Sequence, residues 1–158
     1  MTREITNGEV PSIMEAIEMC VNEGSPIKHP LLTTHGVLKQ HFMNFQINRN
    51  KIAEKYFERD KDGNPVGKEG IENPRLITDY KVTDEDAMHK ELEELIFTKL
   101  EIEFHTVSPD RTVLSTVNGE NKSYKLRDYL EISDKVSVKT VAFLEEFFIT
   151  KEEKAELA

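Results

Sequence analysis

Leu38, Phe42, Phe45, Ile52 and Tyr56 recur at spacings of four and three residues, with Arg49 in the one polar slot of the series. Residues three and four apart share a helical face, so this stripe predicts an amphipathic helix over about 37–58. A second stripe, Met88, Leu92, Leu95 and Ile96, predicts a helix over about 84–99. Two such stripes each need an apolar surface to cover them, and lying antiparallel they cover each other. Asp60-Lys61-Asp62-Gly63-Asn64-Pro65 ends the first helix with residues that favour turns, and a loop or weak hairpin follows to about Asp79. Thr83-Asp84-Glu85-Asp86 starts the second with the form of a capping box.

Directly after the second stripe the period changes. Leu100-Glu101-Ile102-Glu103-Phe104-His105 alternates strictly, which predicts a strand with one buried face. Val113–Val117 and Ser123–Leu126 predict a hairpin, joined by 118–121 in a turn a little longer than the tightest Asn-Gly type. Toward the start, Ile13–Val21 sets Ile13, Ala16, Ile17 and Cys20 on one face of a short helix, and the prolines in 25–30 predict an extended linker. Toward the end, Ser137–Ile149 predicts a helix with Val141, Leu144 and Phe148 on its apolar side. The fold class expected is α+β and mainly helical: an antiparallel helical hairpin (about 37–58 and 84–99), short N- and C-terminal helices, and a small antiparallel sheet. One domain is expected over 1–150, with 151–158 as a flexible charged tail.

Charge narrows the partners. Against 21 Lys and Arg stand 30 Asp and Glu, a formal charge of −9, which repels phosphate backbones and anionic lipid and argues against nucleic acid and membrane. No apolar run is long enough to cross a bilayer. Cys20 is the only cysteine, so no intramolecular disulfide forms, and no secretory leader is apparent; both place the chain in a reducing compartment.

Catalytic and metal chemistry find little support. His29, His35, His41, His89 and His105 are scattered without the spacing of a zinc site. The loop from Asp60 resembles a calcium loop, but its glycine comes two positions early and Ile71 stands where a bidentate Glu belongs. Gly63, Gly67 and Gly70 lack the strand-to-helix setting of a phosphate loop. Cys20, on an apolar helical face, reads as an inert buried thiol. Glu101 and Glu103 share the wet face of a strand, where a solvated surface or a contact with a basic partner is the ordinary case. The expectation is therefore a protein that is not an enzyme, with no cofactor and no metal.

Four segments carry a resemblance: Lys55-Tyr56-Phe57-Glu58-Arg59-Asp60-Lys61-Asp62-Gly63-Asn64-Pro65-Val66, then Tyr80-Lys81-Val82, then His89–Leu95, leading into Leu100–Glu103. In this order the chain resembles a family of small proteins of tailed bacteriophages. A looser echo lies at Val141–Ile149, where Phe147 stands in place of the family's proline, and Ser108–Tyr129 reads as an insertion. The resemblance implies a phage protein acting in the host cytoplasm or carried in the virion, with no catalytic motif. Two roles then compete. One is a structural or assembly component, whether accessory, connector-ring or chaperone-like, that contacts itself or other virion proteins as a homo-oligomer. The other is an acidic inhibitor that binds a host enzyme or defence protein. Glu101, Ile102, Glu103 and Phe104 are the expected contact residues, because an edge strand can pair with a neighbour's sheet.

Overall fold

The computed structural model describes residues 1–117, 119–133 and 135–151. In chain order its elements are β1 (Thr2–Thr6), α1 (Val10–Asn22), α2 (Lys28–Lys55), α3 (Glu85–Ile96), β2 (Lys99–Glu103), β3 (Thr112–Val117), β4 (Glu120–Lys125), α4 (Leu126–Ile132) and α5 (Val138–Phe147), with single 3-10 turns at Asn7–Glu9 and Ile77–Asp79. The architecture is α+β and mainly helical, with two small antiparallel sheets, β1-β2 and β3-β4. No helix among the described residues is long and apolar enough to cross a membrane. The expected charged tail lies, apart from the exposed Lys151, outside the described residues. The chain forms two compact units, one of Met1–Ile5, Glu9–Lys39 and the residues from Glu101 onward, the other of Thr6–Gly8 and Gln40–Leu100.

In the first unit, α1 buries Val10, Ile13, Ile17 and Cys20, spaced three and four apart so that one stripe faces inward. Pro11 sits in the first turn, where its missing N–H is no loss. At the other end Gly24 adopts a φ of +77°, and Ser25 N–H returns to Cys20 O at 3.1 Å. This left-handed residue closes the helix as glycine does best. The expected extended linker over 25–30 is corrected here. Lys28, His29 and Pro30 already belong to α2, because proline in a first turn gives up only an amide that has no helical partner there. α2 accordingly starts nine residues before the stripe that predicted it and anchors itself with Leu31, Thr34 and Leu38, all fully buried.

α5 is capped by Ser137, whose Oγ accepts the Thr140 N–H at 3.2 Å. It packs on α1 and buries Leu144; Phe148, just past its end, is also fully buried, while Val141 is half-buried. Phe148 meets Phe104 edge to face with centroids 5.6 Å apart, a favoured aromatic geometry. The following residues form a parallel bridge, with Val107 N–H on Phe148 O at 2.8 Å and Thr150 N–H on Val107 O at 2.9 Å. The β3-β4 hairpin is tighter than expected. Val117 pairs with Glu120, leaving two residues between the strands, and Gly119 supplies a φ of +79° as a short hairpin loop requires. Leu126, expected at the end of a strand, instead begins α4, which buries Leu126, Tyr129 and Leu130.

The second unit is thinner. Among residues 40–100 only Ala53 and Phe57 are buried; Phe42, Phe45, Ile52 and Tyr56, the stripe expected to form a seam, are half-buried, and α3 has no buried residue. Between α2 and α3 the chain runs as an irregular ribbon held by the bridges Phe57–Val82, Arg59–Pro65 and Gly67–Tyr80. Phe57 and Tyr80 stack at 4.6 Å. At the ribbon's tip Asp60 Oδ1 accepts the N–H groups of Asp62 and Asn64 at 2.9 and 3.0 Å, the self-contained bonding that makes Asp a turn former. The cap of α3 also shifts. Asp84 accepts the Ala87 N–H at 3.0 Å, while the Thr83 hydroxyl donates to Tyr56 O at 3.1 Å. Thr83 is thus spent on the preceding turn, and the helix ends at Ile96 rather than 99.

Candidate functional site

The four residues expected to make contacts lie on and just past β2, and the strand's alternation divides them. Ile102 and Phe104 are each 1 % exposed and belong to the core of the first unit, whereas Glu101 and Glu103 are exposed. A partner can therefore reach the carboxylates and the backbone, but not the two apolar side chains.

Which backbone groups are reachable follows from the pairing with β1. Phe104 N–H donates to Met1 O at 2.8 Å and the Met1 nitrogen donates to Phe104 O at 3.0 Å; this mutual exchange marks a hydrogen-bonded antiparallel pair. Alternate residues of a strand direct their amides to opposite edges, so Ile102 also faces β1 while the N–H and C=O of Glu101 and Glu103 face away. Among the described residues β2 has no second strand neighbour. Past the end of the strand, on the same outward side, His105 N–H donates to Thr34 Oγ1 at 3.1 Å. At the C-terminal end of β2 lies a groove of about 450 Å³ lined by Met1, by the consecutive residues Glu103–Val107, by His29, Pro30 and Thr33 of α2, and by Arg111.

The arrangement is suited to strand addition. An extended segment laid beside β2 gains main-chain hydrogen bonds from Glu101 and Glu103 and places alternate side chains over their carboxylates. Acid–base or metal chemistry is less well served. Among the described residues no three of His, Cys, Asp and Glu converge. His29 and His105 line the groove, and His35 stands 3.1 Å from Glu18 Oε1 elsewhere in the first unit. The Cys20 thiol is pushed up to about 11, chiefly by burial and then by the nearby Glu23, which leaves it protonated and unreactive at neutral pH.

In the second unit the shifted groups belong to structural clasps. Glu91 is held below the ordinary carboxylate value by hydrogen bonds from Lys55 and Tyr56, at 2.7 and 2.6 Å. The Tyr56 hydroxyl is raised by donating to Glu91. Asp79 is lowered by the amides of Arg75 and Leu76. A cleft of about 390 Å³ lies between Asn50, Arg59, Arg75 and Tyr80, but the Arg59 guanidinium is engaged by the carbonyls of Gly63 and Glu54.

Sequence reasoning missed β1, Thr34 and Arg111. Thr2–Thr6 holds one apolar residue, Ile5, and no apolar–polar alternation, and nothing local marks Thr34 as the acceptor for an amide 71 positions away. No family model, curated protein or solved structure matches the chain.

Proposed function

We propose that this chain is an assembly component of a phage particle that acts by protein–protein contact, with the outward edge of β2 receiving an extended segment of a neighbouring subunit. The observation that carries the reading is the division of β2 itself. Ile102 is locked in a core, while Glu101 and Glu103 are exposed and their backbone faces away from β1, with a groove at the strand's end beside Glu103. A rigid edge of this kind loses little entropy on pairing, so its hydrogen bonds count toward affinity. The segment-by-segment resemblance to small phage proteins supplies the setting, in the host cytoplasm and then in the virion.

The variant that tests the edge is Glu103→Pro, not a proline at Ile102. Proline at 103 deletes an outward amide and is tolerated at a strand edge, whereas at 102 it would break the pairing with β1. Mass spectrometry of purified particles should find the wild-type chain in fixed stoichiometry and the Glu103→Pro chain depleted. Particles lacking the wild-type chain would overturn the reading. They would favour the acidic inhibitor instead, whose exposed carboxylates on α3, Glu85, Asp86, Glu93 and Glu94, would meet a basic groove of a host protein and release it as salt is raised.

A further inference from the structure

We infer that the groove at the C-terminal end of β2 binds a small phosphomonoester, with His29, His105 and Arg111 holding its phosphate. The site goes beyond the edge contact and does not depend on it. Every residue that lines the groove belongs to the first unit, and three separate segments bring the donors to it. The first turn of α2 supplies His29, the chain just past β2 supplies His105, and the residue before β3 supplies Arg111. Each is anchored through its backbone. His29 sits in a helix, the His105 amide is held by Thr34 Oγ1 at 3.1 Å, and Arg111 donates its N–H to Ser108 O at 3.1 Å and accepts the Leu126 N–H at 2.9 Å.

The guanidinium decides the chemistry. Asp110, the acid next to Arg111 in the chain, is already taken by Arg127 at 2.7 Å and Lys125 at 3.8 Å. Among the described residues no carboxylate pairs with Arg111, and its planar fork of donors matches the oxygens of an oxyanion. Two other charged groups face the groove: the amino group of Met1, which donates to Phe104 O at 3.0 Å, and the Glu103 carboxylate. With the imidazoles protonated, cationic groups therefore outnumber the one acid on the wall. The charge of −9 on the whole chain does not cancel this advantage, because salt screens exposed charges beyond about 8 Å and a ligand in the groove sits closer to its walls than that. Donors arriving from three segments suit an anion whose oxygens point several ways, a phosphate in preference to a planar carboxylate. A volume of about 450 Å³ is within the range of small-molecule sites and more than a phosphate fills. The remainder, walled by the buried Pro30 and Val107, takes the organic part.

Phenyl phosphate and sulfate are the probes. Titrated into the isotope-labelled full chain at constant ionic strength and followed by NMR, each should give saturable shifts confined to the groove, with phenyl phosphate the tighter at about pH 7.5. Sulfate keeps its double charge between about pH 5.5 and about pH 7.5, so a change in its affinity over that interval comes from the protein. Its binding should tighten by about fivefold toward the lower pH as histidine side chains gain charge. His29→Gln and His105→Gln should each reduce that response, and the double variant should abolish it. Arg111→Gln should weaken both probes by about fivefold at either pH, the equivalent of one exposed ionic contact. Glu103→Gln should tighten them, and Lys139→Gln, exposed on α5, should change nothing. Circular dichroism checks the folding of every variant. Shifts that rise without saturating, or that Arg111→Gln leaves intact, overturn the site. So does an equal weakening by Lys139→Gln, which would reduce the effect to overall charge. Sulfate affinity that is flat with pH in the wild type overturns the role of the histidines. Phenyl phosphate no tighter than sulfate overturns the phosphomonoester as ligand.

Discussion

Thr34 Oγ1 accepts the His105 amide at 3.1 Å from a side chain with no exposed surface. One hydroxyl of α2 thereby satisfies the first amide past β2 on its outward side. Replacing Thr34 by Val keeps the shape and removes the acceptor of a part-buried bond, so it should destabilise the chain by about 0.5–1.5 kcal/mol, the usual net worth of one hydrogen bond. Thr34→Ser should recover most of the loss. Urea denaturation of the three proteins measures this, and an unchanged midpoint for Thr34→Val would mean that His105 N–H finds water instead.

Tyr56 and Glu91 make stability sensitive to pH at both ends of the scale. The tyrosine is raised above its ordinary value of 10.0, so its contribution is complete below that value and disappears as pH climbs through the higher folded value. The carboxylate is lowered below 4.5, so its contribution is complete above that value and disappears as pH falls through the lower folded value. Unfolding midpoints followed by circular dichroism should decline in both directions. Tyr56→Phe should flatten the alkaline limb, and Glu91→Gln the acid limb.

Cys20 should resist an aromatic disulfide reagent at pH 8 in the folded chain and react at once in denaturant. Burial both blocks access and holds the thiol at about 11, far above the ordinary range. Rapid modification of the native protein would show that α1 opens readily from the rest of its unit.

The unequal cores predict unequal protection. Amides in the second unit, where two residues of 40–100 are buried, should exchange faster than those of α1 and α5, because local opening there exposes little apolar surface. Consistent with this, Phe148→Ala should cost about 3–5 kcal/mol, the range for emptying a filled aromatic site. Ile47→Ala, at a position already 51 % exposed, should change stability little.

Periodicity revealed elements more reliably than it revealed their surroundings. The face of α1, the turn at Asp60 and a strand, expected over Leu100–His105 and found at Lys99–Glu103, were legible because each is decided within a few residues by spacing or turn chemistry. The stripe of Phe42, Phe45 and Ile52 foretold a helix correctly but not its burial, since no sequence pattern states how much partner surface arrives. Pro30 misled for a related reason. Proline breaks a helix interior but suits a first turn, and only the true start of α2 decides which applies. Of the candidate site, the alternation of Glu101 to Phe104 was readable. An edge strand was expected there, but which of its sides is taken and what lies at its end were not readable, because they depend on β1, Thr34 and Arg111, distant in sequence.

The pairing of β1 with β2 also dictates when the first unit can form. Met1 meets Phe104 across 103 positions and Arg3 meets Glu146 across 143, so β1 reaches its neighbours only through long-range loop closure. Loop closure over such distances is slow, and until it happens β1 and the apolar face of β2 are both available to chaperones or to wrong partners. A sheet joined across such separations is expected to set the pace at which the first unit folds.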